Sequence, residues 1–123
     1  MLTRANRLVS SATFARAVRR GRRAGTGTLV LHLLEDGAPG HADRPQVGFV
    51  VSKAVGSAVR RNLVQRRLRH LARERLSSFP GSAVLVVRAL PAAASADYRD
   101  LATDFDRALD RVLRRREGNG ARP

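Results

Sequence analysis

The chain has no cysteine and no tryptophan, and aromatic side chains fill only 4% of its 123 positions. The absence of cysteine excludes disulfide frameworks, Cys–zinc sites and thiol nucleophiles, and it fits a cytoplasmic setting. So few aromatics mean a core built mostly from aliphatic side chains. Acidic residues are scarce as well, 10 against 24 basic, which leaves a formal charge of +14. Long apolar runs are missing: the longest, residues 83–87, is far short of the roughly 20 residues that cross a bilayer. Residues 1–7 are polar with no apolar h-region behind them, so no targeting signal is expected. No segment pairs a basic face with bulky Trp or Phe, so no membrane partner is expected either.

What is present points to one folded domain. The length suits a single core, and 43% apolar residues is ordinary for a globular protein. The domain is expected over residues 1–116, with a disordered tail at 117–123. A small domain with this charge meets a polyanion more often than a neutral substrate. Every basic residue except Lys53 is arginine, whose planar fork grips phosphate and stacks on bases. Genomic base composition is a competing cause of the arginine bias, but it leaves the charge itself untouched.

Hydrophobic periodicity sets out the elements. Residues 11–20 read as a helix, with Ser10 or Ser11 as cap, Gly21 as stop, and Phe14 and Val18 on one face. A basic, glycine-bearing stretch with room for a short strand follows. Residues 28–34 alternate, Leu29, Leu31 and Leu33 to one side and Val30, His32 and Leu34 to the other. Residues 35–45 read as a loop and 46–52 as a second strand, and a hairpin between these two strands is the simplest connection. The longest central helix spans 58 to about 76, ended by Pro80 and Gly81. Residues 82–88 form an unbroken apolar run, expected as a buried strand. A Pro/Ala linker leads to a last helix, capped by Ser95 or Asp97 and running to about 116. Its apolar stripe is Tyr98, Leu101, Ala102, Phe105, Ala108, Leu109 and Val112. The fold class is therefore α+β, one sheet with helices packed on it.

The central helix carries the functional argument. Seven arginines fall between Arg60 and Arg75, with Glu74 the single acidic residue among them. At 100° per residue, Val64, Leu68, Leu71 and Ala72 share one side, while Asn62, Arg66, Arg69 and Arg73 share nearly the opposite one. Arg60 and Arg67 lie on a flank and His70 beside the stripe. Solvated faces usually alternate sign; this one does not, so its like charges repel until a phosphate backbone meets them. Asn62 adds an amide that both donates and accepts. Before the helix, Gly56 permits φ > 0 and Ser57 is placed to cap, so free N–H groups beside Lys53 make a candidate anion site. An ordinary strand-to-helix turn explains that feature equally well.

The run Val51-Ser52-Lys53, Gly56, Ala58-Val59, Arg61-Asn62, Arg66 and Arg69 resembles the signature of the bacterial ribonuclease P protein subunit family. Asn6-Arg7-Leu8, then Phe14 ahead of a basic stretch and Gly21, is similar to that family's start, and the likeness spans about residues 4–115. It implies a helix–strand–strand–strand–helix–strand–helix order with one mixed four-stranded sheet and a left-handed crossover around the central helix. The function it implies is that of a subunit which binds a large catalytic RNA and assists removal of the 5′ leader from precursor tRNA. Hydrolysis is then performed by the RNA with Mg²⁺, and the protein alone is not catalytic. By resemblance Arg61, Asn62, Arg66 and Arg69 meet the catalytic RNA, with Arg60, Arg67 and Arg73 adding charge and the Gly56–Ser57 turn beside them. The leader cleft then lies between the first helix and the sheet, near Phe14, Val18, His32, Ser52, Lys53 and Arg88. No protein partner is implied.

Departures from the family pattern shift the expected contacts. Leu63 and Gln65 stand where basic residues are common. Val18 replaces an aromatic, and His32 stands where tyrosine is frequent, so leader contacts are expected to lean on Arg, Lys and His32. A non-catalytic structural RNA binder of the ribosome or its assembly is the alternative. A DNA-binding reading lacks a helix-turn-helix. The aspartates Asp97, Asp100, Asp104, Asp106 and Asp110 raise a two-metal nuclease, but on one helix they suit capping and pairing with arginine better. The three histidines show no metal-ligand spacing.

Overall fold

A computed structural model describes residues 10–35, 45–79 and 82–121, with side chains as far as Arg114. The family-like start at Asn6, Arg7 and Leu8, most of the 35–45 loop with His41, and the breakers Pro80 and Gly81 lie outside the described residues. Helix α1 (Ser11–Arg20) begins where the Ser10 hydroxyl accepts from the Thr13 N–H at 3.2 Å. It ends at Gly21, whose φ of −70° is open to any residue. A Cβ there would strike the carbonyl oxygens of Ala17 and Leu33, so close approach to β2 is what demands glycine.

The strands are β1 (Arg22–Gly25), β2 (Leu29–Leu34), β3 (Gln46–Val50) and β4 (Val84–Ala89), in the order β1-β2-β4-β3. β2 runs antiparallel to both β1 and β4, and β3 runs parallel to β4. The hairpin expected between β2 and β3 does not form, because β4 lies between them. The reason is visible in composition: β4 is apolar on both faces and buried except at Arg88, so it belongs in the middle. The long connection after β2 leaves β3 free to pair on β4's far side. Between the parallel strands β3 and β4 the chain passes through α2 (Ala58–Glu74).

The sheet separates two apolar clusters of unequal size. On one face Leu29, Leu31, Leu33, Val47, Leu85 and Val87 meet Val64, Leu68 and Leu71 of α2 and Leu101, Phe105 and Val112 of α3 (Tyr98–Ala121). On the other, Val84 and Val86 are covered by Ala17, with Phe14, Leu34 and Val50 around them. The alternation read in β2 thus sorts its side chains to the two sides as expected.

Helix α3 starts at an Asp97 cap, whose carboxylate accepts from the Asp100 N–H at 2.8 Å. Its backbone runs to Ala121, past the end expected near 116 and into the segment expected to be a tail. Residues 114–117 are good helix formers, and no glycine interrupts them before Gly118. Tyr98 leaves the expected stripe: it is exposed, and its hydroxyl lies 3.3 Å from the Glu74 carboxylate. Asp104 ties the helix to the sheet, accepting from the Thr28 hydroxyl at 2.6 Å and its N–H at 3.1 Å.

Candidate nucleic-acid interface

Helix α2 is entered through a tight junction. Past β3, Ser52 is extended and Lys53–Val55 form one 3-10 turn. Gly56 follows with φ 147° and ψ −157°, the one positive φ among the described residues. A side chain is strained in that conformation, so glycine is required. The Ser57 hydroxyl then accepts from the Arg60 N–H at 3.3 Å. Capping leaves N–H groups at the first turn without helical partners, at the positive end of the dipole. Ser52, Lys53, Gly56 and Ser57 are all exposed there.

The two sides of α2 separate as its sequence implies. Val64, Leu68, Leu71 and Ala72 are buried, whereas Asn62, Arg66 and Arg73 are exposed and Arg69 is half-buried. Among the described residues, the side chains of Arg66, Arg69 and Arg73 make no hydrogen bond or ion pair. Ion pairs elsewhere include Arg22–Glu35, His70–Glu74, Arg75–Glu74, Arg75–Asp106 and Arg114–Asp110. Val59, Asn62, Leu63, Gln65, Arg66, Arg69 and His70 line a groove of about 660 Å³ along this face.

Three other arginines of α2 stand differently. Arg60 is exposed on the flank. Arg67 donates to the Ala96 carbonyl at 3.2 Å, which ties it to the turn before α3. Arg61 lies towards the buried side; it is half-buried and its Nε is enclosed without a hydrogen-bond partner. The resemblance groups Arg61 with Asn62, Arg66 and Arg69, but the helix points it away from them.

The opposite face of the sheet carries the second set of candidate residues. Phe14 lies on Gly48 of β3: a Cβ there would come within 3.0 Å of three ring atoms, so the missing side chain is what seats the ring. Val18, one turn on, is 40% exposed. Strand register places Arg23, His32, Val86 and Gly48 in one row across the sheet, and Val30, Arg88 and Val50 in the next. His32 is buried, and its Nδ1 has no hydrogen-bond partner. Burial pushes its pKa below 6.5, and the charges of Arg23 and Arg88 push it the same way. Arg88 is the exposed residue of an otherwise buried strand. Phe14, His32 and Arg88 are therefore brought to one face of the sheet, while Ser52 and Lys53 stand where β3 leaves it for α2. Arg23 was not singled out in the sequence, since the register that sets it opposite His32 is not written in a four-residue strand.

Four of the five aspartates at and within α3 are occupied structurally, and Asp100 stands exposed in its first turn. Asp97 caps, Asp104 binds Thr28, Asp106 pairs with Arg75, and Asp110 pairs with Arg114 at 2.9 Å. Arg75 is held firmly: its Nη2 donates to Asp106 at 3.1 Å, and that bond raises its pKa above the ordinary value. His70 lies 3.7 Å from Glu74, with its ring 5.9 Å from that of Tyr98. Among the described residues no group of three His, Asp or Glu side chains is arranged to hold a metal ion. Nor is any described helix long and apolar enough to cross a membrane.

Comparison with known proteins places this geometry. The family model described as Ribonuclease P matches residues 2–113. The ribonuclease P protein component of a Nocardioides species is 63% identical over 112 residues, 91% of this chain and 95% of that protein. Its counterpart in Streptomyces avermitilis is 54% identical over 127 residues, 99% of this chain and all of that one. Among solved structures, a Staphylococcus aureus RNase P protein mutant with defective mRNA degradation activity superposes with a TM-score of 0.76 at 23% identity, covering 86% of each chain. The RNase P protein of Thermotoga maritima gives 0.71 at 22%, over 85% of this chain and 96% of that one. At these identities the structural likeness speaks for the fold.

Proposed function

We infer how this chain, which belongs to the ribonuclease P protein component family, meets its RNA partners as part of a tRNA 5′-processing endoribonuclease. The observation that carries the reading is the unpaired arginine stripe of α2. Arg66, Arg69 and Arg73 project together from a helix whose other side is locked into the core. That stripe, with Asn62 and Arg60, is our assignment for contact with the catalytic RNA. Arg61 and Arg67 join it at the margin, Arg67 on condition that it releases the Ala96 carbonyl. The first-turn N–H groups after Gly56 and Ser57, with Lys53 beside them, take a phosphate at the same end.

The substrate reading assigns precursor tRNA to the face bearing α1. A single-stranded leader there stacks on Phe14 and Val18 and passes His32, Arg88, Ser52 and Lys53. The protein's work is then positional and electrostatic: it neutralises phosphates, lowers the repulsion between two RNAs and holds the leader. The bond-breaking step belongs to the RNA and its Mg²⁺, and no step is routed through a metal held by protein side chains. The cytoplasm is the setting this assigns.

The test is cleavage of a precursor tRNA at low Mg²⁺ by a matched bacterial ribonuclease P RNA, with and without the protein, and with protein alone. Cleavage at the mature 5′ end when RNA and protein are both present supports the reading. No stimulation despite tight RNA binding refutes it, and cleavage by protein alone returns the chemistry to the protein.

A further inference from the structure

We propose that His70 is a further RNA-contacting residue of the α2 groove, held by Glu74 and Tyr98 so that its imidazolium donates to a backbone phosphate of the catalytic RNA. This rests on the reading that the arginine side of α2 meets that RNA, and it adds a contact outside the arginines together with the groups that aim it. His70 lines the groove with Arg66 and Arg69 and is exposed there. Its Nε2 lies 3.7 Å from Oε1 of Glu74, one helical turn on. The same oxygen accepts from the Tyr98 hydroxyl at 3.3 Å and lies 3.6 Å from Nη1 of Arg75. On the α3 side the Tyr98 ring stands 5.9 Å from the imidazole, tilted 58° to it.

Glu74 is the single acidic residue of α2, yet it pairs with none of Arg66, Arg69 and Arg73. Tyr98 and Arg75 hold it at the end of the helix, facing His70. Burial first, and Glu74 after it, push the Tyr98 pKa above its ordinary value, so the hydroxyl stays a donor at neutral and acidic pH. With Nε2 turned to the carboxylate, Nδ1 is the nitrogen left for a ligand. Imidazole carries two N–H donors only when protonated. A ring that faces Glu74 with one nitrogen and donates to phosphate with the other is therefore the cation. The remaining charges around it on α2 are positive, Arg66, Arg67, Arg69 and Arg73, with Arg75 behind Glu74. From α3 it meets the neutral Tyr98, while Asp106 is taken by Arg75. A non-bridging phosphate oxygen supplies the second anion and accepts a charge-assisted hydrogen bond. Binding an anion there favours the protonated ring, so complex formation takes up a proton from solvent at His70.

The experiment measures the Kd of the full chain for a bacterial ribonuclease P RNA across a monovalent salt series at fixed Mg²⁺. It is run at about pH 7.5 and about pH 5.5, the window in which histidine changes charge. One more neutralised phosphate steepens the slope of log K against log salt by about 0.7–0.9. The wild type should show that increment at the lower pH, with affinity up about tenfold, the low end for a charge-assisted hydrogen bond. His70→Gln should lack it; the RNA's own titration is common to both proteins. His70→Lys, a cation at both pH values, should show the steeper slope at both. Glu74→Gln makes the chain more positive and by net charge alone would tighten binding at either pH; as the loss of a positioning group it should instead abolish the increment. His70 and Glu74 are exposed, and circular dichroism at both pH values checks that the variants fold. An increment shared by wild type and His70→Gln overturns the proposal. So does tighter binding at the lower pH without a steeper slope, which would mean contact with a base. A full increment in Glu74→Gln removes Glu74, and Tyr98 with it, from the arrangement. A shallow wild-type slope at both pH values means that phosphate contact by α2 has itself failed, whereas a steep slope that ignores pH leaves the arginine stripe standing and removes His70.

Discussion

Replacing Arg66, Arg69 and Arg73 together by alanine isolates the electrostatic part of RNA binding. All three project from the solvent side of α2 and none has a hydrogen-bond or ion-pair partner among the described residues, so their loss leaves no internal group unsatisfied. Like charges three and four positions apart on a helix cost about 0.2–0.5 kcal/mol per pair. The Arg66–Arg69 and Arg69–Arg73 pairs together are thus worth about 0.4–1 kcal/mol of repulsion that the variant sheds. Its free stability should hold or rise slightly. RNA affinity should move the other way. Each neutralised phosphate contributes about 0.7–0.9 to the slope of log K against log salt, so three arginines account for about 2–3. Between 50 and 200 mM salt that slope corresponds to about 20- to 40-fold in affinity. The assay is the Kd for the catalytic RNA across a salt series, with the triple alanine variant of the exposed Arg99, Arg107 and Arg114 on α3 as a charge-matched control. An unchanged slope in the triple variant refutes the phosphate assignment. An equal change in the control reduces it to net charge.

Phe14→Ala should weaken leader-bearing tRNA by about 1–3 kcal/mol, the worth of one base–aromatic stack, and leave mature tRNA nearly unaffected; equal losses for both would remove Phe14 from the leader site. Asp104→Ala strands the Thr28 N–H and hydroxyl, at 8% exposure, and should cost about 1–3 kcal/mol, read as a lower urea midpoint at unchanged m-value; an unmoved midpoint contradicts it. His32 has a pKa lowered in the folded state by burial, Arg23 and Arg88, so the fold favours its neutral ring. That contribution is complete above the unfolded value of 6.5 and is lost as pH falls through the lower folded value. Wild-type stability should therefore fall faster than that of His32→Gln on acidification below 6.5, and parallel curves would show that the fold does not discriminate against the charged ring.

Periodicity carried most of the fold and half of the site. The buried and exposed sides of α2, the two faces of β2 and the cap at Ser57 follow from residue spacing, because each depends on neighbours within a turn or two. Strand pairing did not. A hairpin between residues 28–34 and 46–52 is the locally economical choice, and the sheet rejects it because β4, apolar on both faces, takes the central place. The same long-range pairing hides Arg23, whose position opposite His32 exists only once β1 has found its register. Tyr98 matches the apolar stripe of α3 by number yet is the helix's first residue, exposed, with its hydroxyl on the Glu74 carboxylate. Arg61 shows the limit of a motif: it belongs to the signature by sequence, but the helix turns it inward, where packing decides its contacts.

The two proposed RNA surfaces lie on opposite sides of the sheet, and one short segment connects them. β3 ends at Val50 beside Arg88 on the α1 side. Six residues later Gly56 has turned the chain so that α2 starts on the other face. Ser52, Lys53 and the first turn of α2 lie between, all exposed. A positive φ at Gly56 makes the reversal abrupt, and the Ser57 cap stops it from fraying. On the proposed assignment, a leader crossing the cleft and a catalytic RNA lying on the arginine stripe would converge at this edge, beside the exposed Lys53. α1 and the four strands contain neither Asp nor Glu, so these elements bring arginine to this side of the edge and no carboxylate of their own. RNA phosphate is the counter-ion we propose for the arginine stripe of α2, whose Arg66, Arg69 and Arg73 have no carboxylate partner among the described residues.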